Sequence, residues 1–165
     1  MESLEIILER YEGEPLSEKD KVKIANEKNE KYKSLLKQMD ESYLSDIVKN
    51  TLDTLRNKNI KMAIGSSSKN AGLILSRIGL ADYFDAISDG NNIQFSKPHP
   101  QVFQLAAEYI SLPPSDCLVV EDARAGIEAA IAGGFDSVGM GDAADDERAT
   151  YRISQFEEFL TIVLN

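Results

Sequence analysis

The decapeptide Lys61-Met62-Ala63-Ile64-Gly65-Ser66-Ser67-Ser68-Lys69-Asn70 decides the fold. After Lys61 the run is uncharged through Gly65, too short for a helix and suited to a strand buried on both faces of a sheet. It then breaks into hydroxyls and continues at once into an apolar helical face made by Ala71, Ile74, Leu75 and Ile78. Gly79 stands where a helix ends in a left-handed residue. A buried strand feeding directly into a helix is the first half of a βαβ unit.

Working outward, the same texture recurs. FDAIS (84–88) precedes a helix near 99–111 with Phe103, Ala106, Ala107 and Ile110 inward, and CLVVE (117–121) precedes a helix near 124–132 that stops at Gly133-Gly134. DSVGMG (136–141) is the last strong strand, and Phe156, Phe159 and Leu160 mark a terminal helix. Upstream, Val48, Leu52 and Leu55 define another. Such alternation predicts an α/β, Rossmann-like parallel sheet with helices on both faces and ligands at the carboxyl ends of its strands. Function is therefore to be sought in the loops after 65, 88, 121 and 141.

The N-terminal part reads differently, as helices alone. Leu4, Ile7, Leu8 and Tyr11 form one stripe; Ser17 then caps a second helix over roughly 18–38, on which Ile24, Lys28, Tyr32 and Leu35 share a face. Lys28 lies within that stripe, where a packed stem with a snorkelling ammonium is one reading. The loop at 38–46 divides a helical module, 1–42, from the alternating part, 43–165.

Composition narrows the function. The 165 residues carry a formal charge of −10, which opposes a nucleic-acid partner because phosphate backbones need clustered Lys and Arg. Apolar residues at 42% and charged residues at 28% match a folded globular chain. No run approaches the ~18 apolar residues of a membrane helix, and MESLEIILER lacks the order of a signal peptide, so a cytoplasmic protein without membrane partners is expected. The single cysteine, Cys117, sits in CLVV as a small hydrophobe, leaving thiol chemistry without support.

Three loops carry candidate chemistry. Ser66, Ser67, Ser68, Lys69 and Asn70 offer hydroxyls and an ammonium at a helix start, either as an anion site or as plain capping by Ser67 or Ser68. Lys97, in Ser96-Lys97-Pro98-His99-Pro100, is held on a stiff element where a point charge could meet a phosphoryl oxygen; His99 reads as an ordinary helix-start residue. Glu121 and Asp122 are adjacent carboxylates at a strand end, suited to Mg²⁺, unless Asp122 merely caps the next helix. Gly139, Gly141 and Ala144 spell a dinucleotide motif, but no apolar helix and no acidic residue about 20 positions on follow it.

Taken in order, GSSSKN, SKPHP and VVEDARAGIEAA resemble motifs II, III and IV of the haloacid dehalogenase-like phosphotransferase superfamily. The likeness runs over about 2–142 and is greatest to the β-phosphoglucomutase and sugar-phosphate phosphatase group. The resemblance implies that Ser66 and Lys97 hold the phosphoryl oxygens and that Glu121 and Asp122 bind Mg²⁺. It further implies that Ser68, Lys69 and Asn70 assist a second phosphate of a bisphosphorylated sugar, and that Ser3 and Lys28 are cap residues reaching the substrate.

The departure is motif I. That family attacks phosphorus with an aspartate followed two residues later by an acid/base aspartate, and no Asp-x-Asp occurs in this sequence. The expectation is a chain lacking the nucleophile segment and the central strand that bears it, without turnover alone. Either KMAIG and CLVVE pair across the vacancy, or a missing N-terminal segment or second chain completes the sheet, or the chain is marginal. Asp46-Ile47 also replaces the Pro-Gly usual where cap returns to core.

Overall fold

The computed structural model describes residues 11, 13 and 16–164. The stripe at Leu4, Ile7 and Leu8, and the candidate Ser3, lie outside the described residues. Helix α1 (Glu18–Leu36) begins as expected: the Ser17 hydroxyl accepts from Asp20 N at 3.2 Å. Helix α2 (Asp46–Asn57) is capped by Ser45 and buries Thr51, Leu52 and Leu55.

The alternating part follows in the expected order. It comprises β1 (Ala63–Gly65), α3 (Ala71–Arg77), β2 (Ala86–Ser88), α4 (Gln101–Tyr109), β3 (Leu118–Glu121), α5 (Arg124–Ala132) and β4 (Asp136–Gly139). A two-residue strand, β5 (Tyr151–Arg152), and helix α6 (Phe159–Val163) complete it. All strand pairs are parallel, with Ile64 opposite Ile87, Val120 opposite Val138, and Gly139 opposite Arg152.

The strands form two sheets, β1-β2 and β3-β4-β5, among the described residues. Closure of KMAIG onto CLVVE is thus not what happens: β1 and β3 share no ladder. The consequence shows in burial, because β1 is only half-buried along its length where a strand covered on both sides was expected. With no backbone ladder between them, the halves are joined by side chains, chiefly by apolar packing. Leu55, Met62, Leu75 and Leu80 cluster with Val138, Ile153 and Phe159 on one face, and Ile64, Leu118 and Val120 pack against that cluster. On the other face Val102, Phe103 and Ala107 of α4 meet Val119, Ala129, Ala130 and Phe135. Period-two alternation along β3 sends Leu118 and Val120 one way and Val119 the other.

Helix α1 corrects the sequence reading. Its expected face, Ile24, Lys28, Tyr32 and Leu35, is exposed, with Leu35 at 54%. The side turned toward the core carries Lys21, Ala25, Asn29 and Lys33, all half-buried, and only Leu36 is buried. Apolar spacing identified a helix but not which side meets the core.

Candidate functional site

The three candidate loops meet at one ammonium. Lys97 Nζ donates to the Gly65 carbonyl at 3.1 Å and forms an ion pair with Glu121 Oε1. Its position is built by its surroundings: the Lys97 backbone N–H donates to Ser67 Oγ at 3.4 Å, and the Lys97–Pro98 peptide bond is cis. The ammonium also stands 4.5 Å from the Phe103 ring centroid, on the aromatic face that favours a cation. Gly65 permits this approach, since a Cβ there would lie 2.7 Å from the Phe103 ring.

Because Ser66 follows Gly65 and Asp122 follows Glu121, Lys97 draws the carboxyl ends of β1 and β3 to one place despite the missing ladder between them. Ser66 N–H donates to Ser88 O at 2.9 Å, extending the β1-β2 pairing by one step. Its hydroxyl accepts from Ser68 N at 3.1 Å, and Ser68 Oγ accepts from Asn70 N at 3.1 Å. The serines therefore shape a tight local turn, while the helix itself starts after Asn70 with no side-chain cap. The loop after β2 supports it: Gly90 N donates to Ser68 O and Asn91 Nδ2 to Lys69 O. A Cβ on Gly90 would meet Ser67 O at 2.5 Å, so only glycine admits that approach.

On the other side Glu121 is buried at 8% exposure, and its Oε2 accepts from Ala123 N at 3.4 Å. Gly126 faces it directly, and a Cβ at that position would overlap the carboxylate. A carboxylate this buried is tolerated because an ammonium and a backbone N–H answer it. Asp122 is exposed and is not a cap; α5 starts after Ala123 with no side-chain cap bond. Beside it runs the 141–148 loop, where Gly141 adopts φ +54° and its Cβ position lies 3.6 Å from Asp122 Cβ.

That loop is pinned to α5 by charge. Arg124 pairs with Asp145 at 2.8 Å, and Arg148 joins Asp146 at 2.7 Å to Glu128 at 2.6 Å. The Arg148 hydrogen bond holds the Asp146 carboxyl at about 2, well below its ordinary value. The Gly139/Gly141 pattern opens a three-residue 3₁₀ turn, Gly141–Ala143, and no helix, as its sequence context requires.

Of the remaining candidates, Lys69 is exposed and Lys28 is exposed on α1. The neighbour of Lys28, Asn29, makes the link that sequence reasoning missed: Asn70 Nδ2 donates to Asn29 Oδ1 at 3.0 Å. His99 stacks on Phe95 with centroids 4.7 Å apart and accepts from Gln101 N at 3.2 Å, consistent with a helix-start role. Burial pushes the Cys117 thiol up, away from reactivity.

Comparison with known proteins gives the chain a family. The family described as hydrolase, haloacid dehalogenase-like hydrolase, matches residues 2–134. The chain belongs to the haloacid dehalogenase-like hydrolase family. It is 37% identical over 122 residues to a β-phosphoglucomutase from Bacillus subtilis, covering 74% of this chain and 54% of that protein. A fructose-1-phosphate phosphatase from Escherichia coli is 36% identical over 116 residues, 70% of this chain and 60% of the relative. This member of the haloacid dehalogenase-like family thus spans a little over half the length of the curated relatives it matches. The crystal structure of a β-phosphoglucomutase from Clostridium difficile superposes with a TM-score of 0.86 at 34% identity, over 95% of this chain and 71% of that one.

Proposed function

We propose that this chain is the phosphate-holding part of a Mg²⁺-dependent phosphotransferase of the β-phosphoglucomutase type, acting on sugar phosphates. The observation that carries the proposal is the Lys97 junction, which gathers the Ser66 loop and the Glu121-Asp122 pair around a single cation. In this reading Lys97 and Ser66 hold the oxygens of the phosphoryl group, and Ser68, Lys69 and Asn70 hold a second phosphate. Residues 1–42 serve as a partial cap over the core at 43–165, and Ser3 and Lys28 are the cap residues to which this reading assigns substrate contact.

The donors suit Mg²⁺ in kind, since it takes hard oxygens and keeps several waters. Glu121 and Asp122 would hold it, and the described residues contain no group of three or more His, Cys, Asp or Glu side chains able to do so unaided. Bound there, the ion would neutralise phosphate charge. What the chain itself does is bind and orient: the ammonium draws charge from the phosphoryl oxygens, the Ser66 hydroxyl fixes their position, and the Ser68 hydroxyl helps to hold the second phosphate.

Covalent transfer needs an attacking carboxylate, and no Asp-x-Asp occurs in the 165 residues. Uncatalysed phosphate-monoester hydrolysis is so slow that binding groups without a nucleophile leave no useful turnover. We therefore include in the proposal that these 165 residues bind without turning over. Titration calorimetry with glucose 6-phosphate and Mg²⁺ should give saturable heat that Lys97→Ala abolishes, with no phosphate released. Adding a peptide bearing Asp-x-Asp should restore release. Absence of heat with the folded chain would refute the reading, and rapid release without the peptide would refute its second part. The missing carboxylate pair also favours a second reading, a non-catalytic phosphosugar-binding protein, which predicts the same heat but no release with the peptide.

A further inference from the structure

Helix α1 is joined to the core at two places of different character. At its C-terminal end Leu36 is 4% exposed, and Arg77 of α3 donates to Met39 O at 2.9 Å and Lys37 O at 2.7 Å. The bond to Lys37 O satisfies the carbonyl of the helix's C-cap, and the bond to Met39 O holds the chain just beyond it. From the last turn back toward its start, the inward side offers no buried apolar residue, only Lys21, Ala25, Asn29 and Lys33, half-buried. There the Asn29–Asn70 amide bond crosses to the phosphate loop. Little apolar area resists separation at this second place, whereas the first is anchored by burial and by a guanidinium.

Asn70 is unusual among the loop residues. It is 7% exposed, its backbone N–H is committed to Ser68 Oγ at 3.1 Å, and its carbonyl accepts from Ile74 N at 3.0 Å. The loop beneath is fixed by Ser66 Oγ, Gly90 N and Asn91 Nδ2. The backbone of Asn70 is therefore set, and what stays adjustable is its side-chain amide. Asn29 Oδ1 can only accept, so it selects the orientation in which Nδ2 points to α1 and Oδ1 points away.

We propose that Asn29 is a positioning residue, a latch by which helix α1, hinged at Arg77 and Leu36, orients the Asn70 amide at the phosphate loop. The inference rests on the phosphate-holding reading and adds to it the residue that couples the helix to the loop. A ligand engaging Asn70 then favours the latched helix, and a latched helix presents Asn70 ready for the ligand; the coupling acts in both directions.

The test uses the 165-residue chain with two probes, inorganic phosphate and glucose 1,6-bisphosphate, together with NMR of the Asn70 side-chain amide and hydrogen exchange along α1. Asn29→Ala should weaken bisphosphate binding roughly three- to tenfold, the range expected for one lost hydrogen bond, and leave inorganic phosphate binding unchanged. It should also shift the Asn70 amide resonance and raise exchange in 21–33 while 34–37 stay protected. Asn29→Asp retains the acceptor and should keep the amide resonance near its native position. Arg77→Ala should instead raise exchange at 34–37. If the wild-type chain binds bisphosphate and Asn29→Ala binds it equally, the latch is overturned while the phosphate reading stands. If the wild-type chain binds neither probe, the phosphate reading fails, and the latch is then decided by exchange alone: unchanged protection of 21–33 in Asn29→Ala overturns it.

Discussion

The two sheets differ in depth, and the difference explains where the site lies. In β3-β4-β5 the central strand β4 buries Ser137, Val138 and Gly139, and β3 buries Val119 and Glu121. In β1-β2 only Ser88 is buried, and every residue of β1 is half-buried. One half holds its shape by burial and the other leans on it through a shared apolar cluster and through Lys97. The candidate site is the seam between them. Because one buried ion pair helps to hold that seam, Lys97 is a structural residue whatever else it does.

The contact between the halves is most vulnerable at Lys97. Lys97→Ala leaves Glu121 buried without its cation and should lower stability by about 3–5 kcal/mol in denaturant unfolding. The double variant Lys97→Met with Glu121→Gln should recover much of that stability while phosphate binding stays lost; recovery of neither would show that the pair is not what joins the halves. Gly126→Ala comes next. Its Cβ drives into the Glu121 carboxylate, and the expected cost is about 1–3 kcal/mol with hydrogen exchange rising on the β3 side first.

Smaller effects should stay within one half. Gly79 ends α3 at φ +78°, so Gly79→Ala should cost about 1 kcal/mol and loosen only the segment around β1 and β2. Asp146 acts on the other half and through pH. Its folded value of about 2 lies below its ordinary 3.8, so its stabilising contribution is fully present above the ordinary value and disappears as pH falls through about 2. Asp146→Asn should therefore be less stable than wild type at pH 6, with the gap closing between about pH 4 and pH 2. A gap independent of pH over that interval would show that the Arg148 contact is not the cause.

The core was legible because its elements obey simple periods. Ala106, Ala107 and Phe103 fall on one side of α4, and all are buried. Strand β5 was not, since two exposed residues, Tyr151 and Arg152, carry no alternation to read. Helix α1 shows the limit from the opposite direction. Its apolar stripe is real, but the side set against the core is polar, and attachment comes from Asn29 and Arg77, to which periodicity is blind. The loops carrying Ser66, Lys97 and Glu121 could be nominated from residue type, and their order matched a family. That Lys97 spans from Gly65 to Glu121 required coordinates, because the contact joins positions 24 and 32 residues apart in sequence.

On the proposed function, a cation at Asp122 lies next to a phosphate held by Lys97 and Ser66. Relaxation of the ³¹P signal of inorganic phosphate bound to the 165-residue chain, with Mn²⁺ in place of Mg²⁺, tests it most directly. Strong Mn²⁺-induced broadening is expected, and Asp122→Asn should remove it while phosphate still binds. Phosphate that binds and shows the same relaxation in wild type and Asp122→Asn would contradict it.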